Sequence, residues 1–154
     1  MGETIEKRLS DMGVTLPAAA APAANYVPFV RSGNLLFPSG QLPMKDGKLA
    51  VTGLLGRDLD VAAGKEAARL CAINILAQAK AALGDLDKIR RLVKINIYVA
   101  SSPDFTEQHL VGNGASDFFA EVLGERGKHA RVAVGMAALP LNAAVEIESI
   151  LEVD

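Results

Sequence analysis

The sequence has little from which to build covalent staples, metal cages or aromatic platforms. One of its 154 residues is cysteine, Cys71, so no disulfide can close within the chain. Its neighbours Leu70, Ala72 and Ile73 mark it as a buried structural thiol. Two histidines, His109 and His129, match no metal-ligand spacing, and neither a metal nor any other cofactor is expected. Tryptophan is absent and aromatics make up 5% of residues, too few to stack single-stranded bases. The net charge of −2 carries no basic surplus, and the densest basic run, Lys88, Arg90, Arg91 and Lys94, is broken by Ile89, Leu92 and Val93. Nucleic acid is therefore not an expected partner. The glycine-containing stretches GLLGRD and GNGASD lack the spacing of a phosphate cradle. No apolar run approaches a membrane span, and MGETIEKRLSDMG has no apolar signal core, so a cytoplasmic protein without a membrane partner is expected.

What the chain has is aliphatic bulk. Half of its residues are hydrophobic, enough in a domain-sized chain to bury a substantial core. Ile5, Leu9 and Met12 recur at helical spacing before Gly13 and predict a short helix. Residues 16–25, LPAAAAPAAN, set two prolines among alanines and read as an extended arm. Residues 1–24 are thus a helix and arm, and residues 25–154 the main domain. Segments 26–31 and 35–39 flank Ser32-Gly33-Asn34 as a hairpin, and Asp46-Gly47 turns a second pair, 41–44 with 48–52.

The clearest helix runs from 62 to 83, where Ala68, Ala72, Ile75, Leu76, Ala79 and Leu83 form one stripe. In LVKINIYV, Val93, Ile95, Ile97 and Val99 alternate with Lys94, Asn96 and Tyr98, the pattern of a strand with one face on a core. A second helix is expected to open at Ser101-Ser102-Pro103-Asp104, to carry the stripe Val111, Ala115, Phe118, Phe119 and Val122, and to close at Gly124. Residues 130–137 and 144–153 read as two more strands. The order predicts an α+β fold, a mostly antiparallel sheet with two helices packed on one face. Its other face carries Lys94, Asn96, Tyr98, Glu146 and Glu148 beside Leu92 and Ile150. That mixture suits burial in a symmetric oligomer.

At the level of motifs, the chain resembles the RidA (YjgF-like, endoribonuclease L-PSP-like) reactive intermediate deaminase family. The likeness rests on Tyr26 before the first strand, SGQLP at 39–43, ALG at 82–84, VKINIYV at 93–99, PDF at 103–105, FF at 118–119 and HAR…LP…AAVEIE at 129–148. Together these span about residues 25–153 in the family's order. The resemblance implies a chorismate-mutase-like fold assembled as a homotrimer with clefts between subunits. It also implies hydrolysis of reactive imines or enamines (2-imino acids) to 2-keto acids and ammonia. It assigns catalytic roles to Arg131 and Glu146, and places Tyr26, Ser39 and Gly40, with Gln41, in the pocket. The chain departs from the family pattern at His129, where proline is usual, and at Ala133, where cysteine or serine is common. The stretch HLVGNGASD in a lengthened second helix has no obvious counterpart, and the N-terminal helix and arm are extra.

The residues suit that chemistry. A planar guanidinium takes a carboxylate with two parallel hydrogen bonds and stays charged at any working pH, so Arg131 can hold the acid group of a small carboxylate-bearing substrate. Water must then reach the imine carbon and a proton the departing nitrogen, and Glu146 can serve both steps if it lies across the pocket. Backbone N–H groups near Gly40 and Ala133 can meet developing charge. His129, two residues from Arg131, can share its face as an acid–base group. A plainer reading makes Arg131 half of an ion pair with Glu146 or Glu148, Tyr26 an interface residue and His109 a solvent-facing one. The alternatives to a deaminase are a non-catalytic carboxylate-binding or sensing trimer of the same fold and, with less support from the acidic balance, an endoribonuclease.

Overall fold

The computed structural model describes residues 2–19, 21 and 25–154. Part of the alanine-rich arm, residues 20 and 22–24, and residue 1 lie outside the described residues. Helix α1 spans Ile5–Asp11 and is capped by the Thr4 hydroxyl, which accepts from Lys7 N–H. Then come the hairpin β1 (Phe29–Ser32) and β2 (Leu35–Pro38), and a small hairpin, β3 (Met44–Lys45) with β4 (Lys48–Leu49). Helix α2 (Val61–Leu83) leads into β5 (Ile89–Ala100), α3 (Gln108–Leu123), β6 (Ala130–Met136) and β7 (Val145–Val153). The main sheet has the order β1-β2-β7-β5-β6, antiparallel except for the β5–β6 pair. Helices α2 and α3 pack on one face of it, as the alternation in β5 and β7 requires.

Helix α2 starts where the Asp60 carboxylate accepts from Ala63 N–H and stops at Gly84, whose φ of 76° a side chain would disfavour. Its expected stripe is buried, and so are Ala67, Leu70, Cys71, Ile73, Asn74 and Gln78. The helix is enclosed on more than one side, between the sheet, α3 and the N-terminal segments. Helix α1 belongs to the same core: Ile5 is fully buried, and Arg8 Nη1 donates to the Val122 carbonyl at 3.2 Å.

Three expectations shift. The second helix begins at Gln108, not at Ser101, because backbone bonds from Leu55 N to Ala100 O and from Ser102 N to Leu55 O pull residues 100–102 onto the preceding loop. Leu92, expected on the open face, is fully buried, because the β5–β7 register slips on either side of Arg91–Leu92 and turns Leu92 inward in place of Val93. The first strand begins at Phe29, which leaves Tyr26 in the loop before it.

Candidate functional site

Strand β7 displays its side chains in strict alternation: Val145, Ile147, Leu151 and Val153 are buried, and Glu146, Glu148, Ile150 and Glu152 face away from the helices. Beside Glu146 the chain segment 39–41 is fastened to β7 by two backbone bonds, Gln41 N to Ile147 O (2.8 Å) and Ile147 N to Gln41 O (3.0 Å). Asn74 on α2 secures the continuation, donating to the carbonyls of Leu42 and Met44 at 3.0 Å each. Ser39 donates its hydroxyl to Val27 O at 2.8 Å and so ties the segment to the loop that carries Tyr26. The result is a cavity of about 180 Å³, lined by Tyr26, Ser39, Gly40, Gln41, Leu42, Met44, Gln78 and Leu141 among others. Leu141 is 75% exposed at its rim and holds a left-handed φ of 60°, a conformation bulky residues keep only where their surroundings enforce it. The Gly40 N–H has no partner among the described residues. The Glu146 carboxylate reaches this segment closely enough that a Cβ on Gly40 would stand 2.9 Å from Oε1.

The electrostatics separate the two neighbouring glutamates. Burial, and then the charge of Glu148, pushes the Glu146 carboxyl above the ordinary carboxylate range. Hydrogen bonds from Tyr98 and Asn96 hold Glu148 below it. The same contact raises the Tyr98 phenol. Glu148 is thus committed to the ionised form, and Glu146 keeps a proton to higher pH than a free glutamate.

The arginine lies elsewhere. Arg131 and Ala133 are in register with Ile95 and Ile97, both fully buried, so they face the helices. Arg131 Nη1 donates to Asn113 Oδ1 (3.0 Å) and Ser116 Oγ (3.1 Å), and Nη2 donates to the His109 carbonyl (2.9 Å). These partners are neutral; no ion pair of Arg131 occurs among the described residues, so the plainer alternative, a pairing with Glu146 or Glu148, is not what holds it. His129 does share the side of Arg131: its Nε2 meets Ser116 Oγ at 2.8 Å.

The candidate residues therefore fall into two groups. Tyr26, Ser39 and Gly40 line the cavity, with Glu146 against Gly40; Arg131, His129 and Ala133 gather under α3. Glu146 pairs with Tyr98 and Arg131 with Ile95, two strands across and three residues along. That separates the two Cα atoms by about 14 Å, with side chains on opposite faces. Sequence reasoning missed Asn113, Ser116, Gln78 and Leu141. The signal for the first two was present, a polar line at His109, Asn113 and Ser116 running beside the apolar stripe of α3.

Residues 6–152 match the family described as "YjgF/chorismate_mutase-like, putative endoribonuclease". The chain belongs to the YjgF family. Protein TCP17 of Trypanosoma cruzi is 52% identical over 97% of this chain and 94% of its own length. A crystal structure of a protein of unknown function from Agrobacterium tumefaciens is 65% identical and superposes with a TM-score of 0.92 over 98% of this chain and 94% of that one. A 2-iminobutanoate/2-iminopropanoate deaminase of Dermatophagoides farinae is 30% identical over 92% of this chain and 95% of its own. The YjgF fold, α+β with its helices on one face of a mixed sheet, is the one found here. Among the described residues no helix is long and apolar enough to cross a membrane, and no cluster of His, Cys, Asp and Glu is arranged to hold a metal ion.

Proposed function

We propose that the chain is an imine/enamine deaminase of the RidA type, hydrolysing 2-imino acids to 2-keto acids and ammonia. In this reading it works as a homotrimer whose clefts join Arg131 of one subunit to Glu146 and the Gly40 segment of the next. The observation that carries the reading is the state of Arg131. Of the five N–H donors of a guanidinium, three are taken by neutral groups of α3. The Nε–H and one Nη2–H remain without a partner among the described residues. Nε and Nη2 form one edge of the group, and two donors are what a carboxylate takes. A structural arginine would be spent on a carboxylate of its own chain; this one is anchored and left half-open.

The chemistry follows from what each half supplies. Arg131 fixes the acid group and hence the position of the neighbouring C=N carbon. Glu146 takes a proton from water as the oxygen bonds to that carbon, then returns it to the nitrogen. In the tetrahedral carbinolamine Glu146 then takes the hydroxyl proton and passes it to the nitrogen, so that the C–N bond breaks, the C=O bond forms, and ammonia and the keto acid leave. Its raised affinity for protons suits Glu146 to accept and return them. The free Gly40 N–H is a donor for the developing oxyanion. Ala133 favours a second reading, a carboxylate-binding trimer without turnover, because a methyl group offers neither nucleophile nor donor beside Arg131. An endoribonuclease gains nothing from the cavity, whose lining among the described residues contains no basic residue for a phosphodiester.

Both readings put the half-sites on different subunits, and activity can report it. Chains carrying Arg131→Ala and chains carrying Glu146→Gln, each inactive alone, are co-expressed and assayed by semicarbazide trapping of imine made with an amino-acid oxidase. Random cyclic trimers contain about a quarter of intact clefts, so about a quarter of wild-type turnover should return. No recovery from mixed trimers would place both groups in one subunit and sink the shared cleft. A wild type that accelerates no imine loss yet gains thermal stability from pyruvate would favour the binding trimer.

A further inference from the structure

Arg131 is held by more than contact. His109, Asn113 and Ser116 fall at i, i+4 and i+7 on α3 and so share one helix face. Gly112 lies beside them; a Cβ there would stand 3.1 Å from Arg131 Nη1 and 2.7 Å from Ile97 Cδ1, so the absent side chain makes room for the guanidinium. The hydrogen bonds also have a direction. His129 Nδ1 lies 2.6 Å from the Gly127 carbonyl, which can only accept, so Nδ1 carries the proton. Nε2 of the neutral ring is then an acceptor, and the Ser116 hydroxyl, 2.8 Å away, donates to it. With its proton committed, Ser116 turns lone pairs toward Nη1 of Arg131, 3.1 Å away.

We propose that Ser116 and His129 are positioning residues: the imidazole orients the Ser116 hydroxyl as an acceptor, and the hydroxyl with Asn113 fixes the plane of the Arg131 guanidinium so that its free edge meets a carboxylate. This rests on the reading of Arg131 as the carboxylate holder. Without His129 a helical serine turns its proton to the carbonyl one turn back, and the direction of the acceptor is no longer set. Two departures from the family pattern, His129 and the HLVGNGASD stretch, meet in this one contact. Each makes sense as half of a pair: a proline at 129 could not accept from Ser116, and an alanine at 116 would leave His129 nothing to orient.

The test uses the assembled protein, with pyruvate as a binding probe and imine hydrolysis as the assay. Ser116→Ala, a mild change in a helix, should raise both KM and the pyruvate Kd about tenfold, the cost of one hydrogen bond to a charged group. kcat should change less, and the melting temperature little. Ser116→Thr, which keeps the hydroxyl, should restore KM. His129→Ala should raise KM by a smaller factor, and adding it to Ser116→Ala should change nothing further, because the imidazole acts through the hydroxyl. An unchanged KM in Ser116→Ala, or additive effects of the two changes, overturns the relay while Arg131-dependent activity stands. If wild type neither binds pyruvate nor hydrolyses imine, and Arg131→Ala alters nothing, the carboxylate reading itself falls and the relay with it.

Discussion

Gly40 and Glu146 touch through the space where a side chain would be: a Cβ on Gly40 would stand 2.9 Å from Oε1 and 3.2 Å from the carboxyl carbon of Glu146. The glycine is needed for approach, since its φ is not in the left-handed region. What it admits is the one carboxylate of the site that burial inclines to hold a proton. Gly40→Ala would displace the far end of a flexible side chain, which is cheap for the fold. Its kcat should fall about tenfold or more, since misplacing a reacting group by a fraction of an ångström suffices for that. Melting curves of the two proteins should coincide within about 2 °C.

Glu146→Gln separates activity from stability. A carboxyl whose folded pKa is raised costs stability once ionised, and the cost disappears as pH falls through the folded value. The neutral amide escapes that cost and the repulsion from Glu148. Turnover should fall by about a hundredfold or more, while the melting temperature at pH 7 rises by about 1–2 °C. The two proteins should melt alike below about pH 4. A lower melting temperature at pH 7 would show that Glu146 is paired rather than penalised.

Tyr98→Phe should act in the opposite sense. Tyr98 and Asn96 donate to Glu148 and hold its pKa down. A depressed carboxyl adds stability that is full above its unfolded value, near pH 4.3, and lost as pH falls through the lower folded value. Removing the phenol should cost about 0.5–1 kcal/mol at neutral pH, modest because the pair is only part-buried. The difference should shrink below about pH 4. Denaturant melts of both proteins at pH 7 and pH 3 provide the check.

The crossing of α2 and α3 depends on Gly114. A Cβ there would lie 2.1 Å from the carbonyl oxygen of Lys65, backbone against backbone, with no flexible end to yield. Gly114→Ala should therefore cost about 2–3 kcal/mol, seen as a fall of roughly 5–10 °C in melting temperature. Gly112→Ala presses instead on the ends of Ile97 and Arg131, and its main effect should be on KM.

The arrangement of helices and strands was legible because each element carries its own period. Alternation in 145–153 states which side is covered, and burial follows it residue by residue, while the stripe in 62–83 is buried together with much of the rest of α2. What escaped was set by contacts between distant segments. Nothing local marks the slip that turns Leu92 inward, since that depends on the partner strand. The late start of α3 depends on the Leu55 loop, whose backbone bonds overrule a favourable Ser-Ser-Pro-Asp beginning. The candidate residues could be named from motifs, but their division between two faces could not. That division needs the register linking Arg131 to Ile95 and Glu146 to Tyr98. Asn113 likewise is a poor helix former by itself, and becomes a ligand of Arg131 only when β6 is laid beside it.

The placement of Arg131 and Glu146 on opposite faces of one sheet bears on inheritance as well as chemistry. In the trimer proposed above, each copy lends one half to each of two clefts. A cell with equal amounts of normal chain and chain lacking Arg131 would keep about half of its clefts, because each damaged copy spoils only one. A chain lacking both Arg131 and Glu146 spoils two, and the same mixture would keep about a quarter. Two lesions on one allele opposite a normal one, and the same lesions split between two alleles, would thus leave the same share of working clefts, about a quarter.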